Sequence, residues 1–138
     1  KTPYECGIAH FRETSRGHIM GLDSGLLKLI FSLKTRRLLG VHIVGEGATE
    51  LVHIGQAVIN LKGTVEYFVE NTFNYPTLAE AYKIAALDAW NGRGEGNENG
   101  ARRSRANRSR LSVARFKGGS LMYCRLGVIV NSSVACTR

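Results

Sequence analysis

Three features of the sequence predict an α+β fold, an antiparallel sheet packed on helices. Leu27, Leu29, Phe31 and Leu33 alternate with Lys28 and Ser32, the period of a strand, and a second apolar run follows from Leu38 to Val44. From Glu46 the period lengthens, and Leu51, Val52, Gly55, Val58 and Ile59 recur at helical spacing. A Thr-x-x-Glu pair, Thr77 and Glu80, then precedes a last apolar stretch that runs to about Trp90. These elements make a domain over residues 1–91, followed by an Arg-, Gly- and Ser-rich tail over residues 92–138.

The elements follow in order. Tyr4 to Phe11 leans towards a strand, with aromatic ends and only Gly7 as a breaker. Thr14 to Gly21 is polar and reads as a loop. Gly25–Leu33 and Leu38–Val44, joined by the polar turn Lys34–Arg37, read as an antiparallel hairpin. The next helix runs through Lys62, with Gly63 placed to end it. Gly55 lies on its apolar stripe, either as a tolerated small residue or where another backbone approaches, as at a subunit interface. Thr64 to Asn71 reads as a short helix capped by Thr64. Pro76 holds Tyr75 extended. Thr77 and Glu80 form a capping box in which each side chain serves the other's free backbone N–H. The final helix carries apolar residues nearly all round (Ala81, Tyr82, Ile84, Ala85, Leu87, Trp90 among them), which predicts burial on more than one side and favours packing across a dimer.

Charge separates the two parts. Residues 1–91 hold nine Lys/Arg and nine Asp/Glu, so the whole net charge of +8 falls in residues 92–138. Gly92 to Arg110 has Ala101 and Ala106 as its only apolar residues and cannot bury a core, so a disordered tail is expected. Leu121 to Val130 is apolar enough for one strand, with no evident partner. A neutral domain of about 90 residues buries a modest core and gains from a partner surface. The three cysteines, Cys6, Cys124 and Cys136, form no C-x-x-C pair and are odd in number, so a disulfide framework is not expected and a reducing, cytoplasmic setting is. No uncharged apolar run reaches the roughly 18 residues a membrane span needs. The opening Lys1-Thr2-Pro3-Tyr4 has no initiator Met and reads as part of a longer chain.

Chemistry-bearing motifs are few. There is no G-x-G-x-x-G and no G-x-x-x-x-G-K-[ST]. Gly92-Arg93-Gly94-Glu95-Gly96 shares only glycine count with such a cradle and follows a helix rather than a strand. His10, His18, His42 and His53 lack metal-ligand spacing, so no metal site is expected, and His53 reads as a hydrogen-bonded structural residue. No Ser sits in a G-x-S-x-G elbow. Glu80 is either a helix cap or a functional acid, and the loop before it offers only Tyr75 as a base. A free phenol titrates near ~10 and is a poor general base at neutral pH. Arg102, Arg103, Arg105, Arg108 and Arg110 have the charge to hold nucleic-acid phosphates, but no aromatic residue interleaves before Phe116. A solvated tail is the plainer reading, and a nucleic-acid partner is not expected.

The segment Thr72-Phe73-Asn74-Tyr75-Pro76-Thr77-Leu78-Ala79-Glu80-Ala81 resembles the H-x-H-P-T-x-x-E signature of the pyridine nucleotide-disulfide oxidoreductases, such as dihydrolipoamide dehydrogenase. The runs Gly40-Val41-His42-Ile43-Val44-Gly45-Glu46, Glu50 to Ala57 and Glu66-Tyr67-Phe68-Val69 are similar to the branch of that family that exchanges hydride between NADPH and NAD. The resemblance covers residues 3–91. It implies the family's dimerisation domain, lacking its own first strand and helix. It also implies a parent homodimer with FAD and NAD(P) domains, in which this loop of one subunit reaches the flavin of the other. Tyr75 stands where the disulfide reductases have their catalytic His, and Glu80 where they have its partner. No catalytic residue is therefore expected here. Tyr75 and Pro76 are expected to line the flavin site, and Glu80 to support the loop. Losing the imidazole removes thiol–disulfide proton transfer, which hydride exchange through FAD does not require. The fragment alone is expected to be inactive. The alternatives are a fragment of a dihydrolipoamide dehydrogenase-like disulfide reductase, or a stand-alone interaction module with a nucleic-acid-binding basic tail.

Overall fold

The computed structural model describes residues 2–92, together with the backbone of 121–124 and 128–131. The described strands are β1 (Tyr4–His10), β2 (Leu26–Ser32), β3 (Leu38–Val44), β4 (Leu121–Cys124) and β5 (Val128–Asn131). The helices are α1 (Ser15–Ile19), α2 (Ala48–Asn60), α3 (Val65–Glu70) and α4 (Glu80–Gly92).

The expected hairpin is present. β2 and β3 pair antiparallel from Leu26 opposite Val44 to Phe31 opposite Leu38, with a register shift at Ile30/Phe31. β1 pairs antiparallel with the other edge of β2, from Tyr4 opposite Ser32 to His10 opposite Leu26. Strand alternation does the rest. Ala9, Leu27, Leu29, Phe31, Val41 and Ile43 share the face that meets the helices and are buried. Leu33, expected on that face, lies beyond the end of β2 and is exposed. Lys28 and Ser32 lie on the opposite face as expected, yet both are buried. Ser32 Oγ accepts the Thr35 N–H at 3.2 Å, which helps to shape the hairpin turn.

Two expectations about strands and loops need correction. The region 14–21 is not a simple loop. Phe11–Glu13 forms a 3₁₀ turn and Ser15–Ile19 forms α1, started by Thr14, whose Oγ1 accepts the Gly17 N–H at 3.0 Å. The single partnerless strand expected over 121–130 is two strands. β4 and β5 pair antiparallel, and β5 runs parallel to β3, so the sheet order is β1-β2-β3-β5-β4. The disordered tail expected over residues 92–138 falls mostly on residues outside those described.

The two long helices, α2 and α4, cover the sheet. α2 packs on β3, and α4 packs on β1 and β2. α4 is close enough to β1 that a Cβ on Gly7 would lie 1.7 Å from the Ala85 carbonyl oxygen. The Ile8 N–H of the same strand donates to Asp88 Oδ2 at 3.0 Å. α2 ends with Lys62, not Gly63, in the left-handed region (φ 56°). The Lys62 N–H donates to Ile59 O at 3.0 Å and the Gly63 N–H to Val58 O at 2.8 Å, the paired bonds that close a helix of this type. Gly63 thus occupies the second position past the cap. α3 starts at Val65 with Thr64 in the N-cap position, but the expected capping bond to the Thr64 side chain is not made.

The broad apolar surface of α4 is met within the chain, by the sheet on one side and by α3 on another. Burial on more than one side therefore does not by itself call for a second copy.

Candidate functional site

The site is a loop held at both ends with its tip free. At its start, the Asn71 side-chain amide donates to Tyr67 O at 2.7 Å, and Lys83 Nζ reaches back from α4 to Asn71 O at 3.1 Å. Phe73 is half-buried, its ring stacked 6.4 Å from Phe68 and 6.4 Å from Tyr82. Phe68 and Tyr82 themselves stack at 5.2 Å, so three nearly parallel rings pin the loop to α3 and α4. At its end, Thr77 Oγ1 donates to Asn74 O at 2.7 Å, and the Thr77 N–H donates to Glu80 Oε2 at 3.4 Å.

The expected capping box is therefore half made. Glu80 serves the Thr77 backbone, but the Thr77 hydroxyl closes the loop on Asn74 instead of serving the helix. Between these clamps the Tyr75–Pro76 peptide is cis, and Tyr75 is 75% exposed. Tyr75 and Glu80 thus belong to one short segment with different tasks: Tyr75 is presented outward, and Glu80 braces the turn behind it.

Tyr75 also lines an open groove of about 330 Å³ with Arg12, Glu13, Thr14, Ser15, His18 and Ile19. α1, which replaces the loop expected over residues 14–21, supplies part of this surface. Thr14 is an N-cap residue type, but a five-residue helix shows no period that would mark the residue as a cap in the sequence.

The remaining sequence candidates do not join this loop into a catalytic cluster. His53 is exposed on α2, and its Nδ1 lies 3.3 Å from Gln56 Oε1, a partner on its own helix. His42 sits on β3 opposite Lys28 of β2. Burial, and then the Lys28 charge, hold its pKa below the ordinary histidine value. Among the described residues, no three His, Cys, Asp or Glu side chains gather as metal ligands. No described helix is long and apolar enough to cross a membrane. Arg93 to Gly96 and the Arg102–Arg110 run lie outside the described residues.

Gly55 has a definite role, though not the intermolecular one considered from sequence. A Cβ there would lie 2.5 Å from Val41 Cγ2 and 2.9 Å from the Tyr82 hydroxyl. The close approach is within the chain, between α2, β3 and α4.

The family model described as "Pyridine nucleotide-disulphide oxidoreductase, dimerisation domain" matches residues 1–86. The chain belongs to this family. Its sequence is 52% identical over 94 residues to the soluble pyridine nucleotide transhydrogenases of Yersinia enterocolitica, Yersinia pestis and Yersinia pseudotuberculosis. Each match covers 66% of this chain and 20% of the relative, so the chain spans about a fifth of the length of the curated relatives it matches. The hairpin, α2, the clamped Tyr75 loop and the first half of α4 lie within the matched part. The family's domain therefore supplies the scaffold on which Tyr75 is presented.

Proposed function

We propose that this chain is the dimer-forming, active-site-completing part of an FAD-dependent oxidoreductase that exchanges hydride between NADPH and NAD in the cytoplasm. The observation that carries this reading is the exposure of Tyr75, 75% accessible on a loop clamped by Phe73, Thr77 and Glu80. An aromatic side chain held outward on a braced loop suits contact with a planar ring supplied by another subunit. Tyr75 and Pro76 would abut the flavin of the partner, and Glu80 would hold the turn.

The residues present fit one wall of a flavin site and no more. The sequence has neither a G-x-G-x-x-G nor a G-x-x-x-x-G-K-[ST] cradle for a dinucleotide, so the rest of that site, and the NAD(P) site, belong to other domains of the parent. When bound, FAD supplies the two-electron relay between the nucleotides. The role of this chain is to position and to enclose. Alone it is inactive.

The second copy in this reading meets the outer side of α2 and α3. There an apolar groove of about 320 Å³ is lined by Ile54, Ala57, Val58, Leu61, Gly63 and Tyr67, with Leu61 82% exposed. Leaving such a surface in water is unfavourable, and covering it with a like surface is the usual solution.

The test is a graft. Residues 1–91 replace the corresponding segment of a soluble transhydrogenase, and the hybrid is assayed for NADPH-to-NAD exchange, lipoamide reduction and dimer formation by sedimentation. The expected outcome is a dimer active in exchange and inactive towards lipoamide, with the dimer lost on Leu61→Glu. Lipoamide turnover would move the assignment to a disulfide reductase. A hybrid that folds and binds FAD yet exchanges no hydride would reject the reading.

A further inference from the structure

Tyr82 lies wholly inside the domain, yet its polar end is fully engaged. Its hydroxyl donates to Leu51 O at 2.7 Å and accepts the Gly55 N–H at 3.0 Å. Leu51 and Gly55 are four residues apart on α2, and their carbonyl and N–H are the two groups that an uninterrupted α-helix joins to each other. The phenol oxygen thus engages both groups of one rung of the α2 ladder. Gly55 makes this possible, because a Cβ there would crowd that oxygen at 2.9 Å.

The other end of the same side chain faces the loop. The Tyr82 ring stacks on Phe73, which precedes Tyr75 by two residues, and on Phe68 of α3. One side chain therefore grips α2 through its oxygen and the base of the Tyr75 loop through its ring. α2 is also the helix whose outer side carries Ile54, Ala57, Val58 and Leu61.

We propose that Tyr82 is a positioning residue that couples α2 to the Tyr75 loop, so that a change in the packing of either shifts the other. The value of this link to catalysis rests on the function proposed above; the link itself does not. Packed side chains bridging two elements carry such coupling, and any coupling must act equally in both directions.

The full 138-residue chain tests this by amide NMR. Tyr82→Phe keeps the ring and removes the hydroxyl. The expected result is a shift of the Leu51 and Gly55 amides together with Phe73, Asn74 and Tyr75, while Leu29 in the middle of β2 stays in place. A shift confined to α2, or one spread evenly over the whole domain, would overturn the proposal. Phe73→Leu supplies the reciprocal arm, because it alters the ring stack and leaves the hydroxyl intact. The Gly55 amide should shift in that variant, and an unmoved Gly55 amide would also overturn the coupling. Neither arm involves a flavin, so an inactive graft and a failed coupling are separate outcomes.

Discussion

Tyr75 is 75% exposed at the tip of a loop, whereas Tyr82, in the helix that follows, is fully buried. The two residues share a side chain and almost a sequence position, and their surroundings set them opposite tasks. Around Tyr82 every group is matched: the ring by Phe68 and Phe73, and the oxygen by one donor and one acceptor of α2. Burial pushes its phenol pKa well above the ordinary range, against a smaller opposing effect of the Gly55 N–H. Tyr75 has the braced loop beneath it and an open groove beside it. The lesson is that a buried tyrosine with both hydrogen bonds made serves the fold, while an exposed one on a clamped loop is offered to something outside the chain.

The largest effect that sharpens this contrast is on Tyr82. Tyr82→Ala empties the centre of the ring stack and should cost about 3–5 kcal/mol of stability, the range for large aromatic truncations in cores. Denaturant unfolding measures it, and a loss below about 1 kcal/mol would erase the distinction drawn here.

An intermediate effect concerns the sheet face away from α2 and α4. The pKa of His42 is lowered in the folded state by burial and by Lys28, so the unfolded chain takes up the proton first. The His42 contribution is then complete above the unfolded value of about 6.5 and is lost as pH falls from there through the lower folded value. His42→Gln should flatten the fall in Tm on acidification over that interval. An unchanged Tm–pH curve would show that His42 does not contribute.

The smallest effect on stability is expected at Tyr75. Tyr75→Ala should change unfolding free energy by no more than about 0.5 kcal/mol, as for an exposed residue. In the grafted transhydrogenase the same change should lower kcat/KM for hydride exchange roughly tenfold or more, about 1.4 kcal/mol of barrier. Equal insensitivity of stability and activity would leave Tyr75 without a role.

Much of this was legible in the chain. The strand alternation from Leu27 to Phe31, the helical spacing from Leu51 to Ile59 and the polar turn between Leu33 and Leu38 each encode a local period, and local periods survive into the fold. The loop was legible because Pro76, Thr77 and Glu80 stand close together. The failures share a cause. Thr14 could not announce α1, because a five-residue helix has too few positions to display a period. The hydroxyl of Thr77 had two acceptable partners, and the loop geometry chose Asn74 over the helix. The parallel pairing of β5 with β3 is a long-range contact with no local signature.

The sequence by itself determined which face of β2 and β3 meets the helices, where the main helices and the hairpin lie, and which family the chain resembles, because side-chain polarity and backbone preference act within a few residues. Only the tertiary structure decided that Gly55 serves a tyrosine of its own chain, and that residues 12–19 stand beside Tyr75. It likewise decided that one buried tyrosine meets α2 through its hydroxyl and the base of the loop through its ring. Those facts depend on which distant surfaces meet, and contacts between segments far apart in the chain leave no periodic trace in either segment.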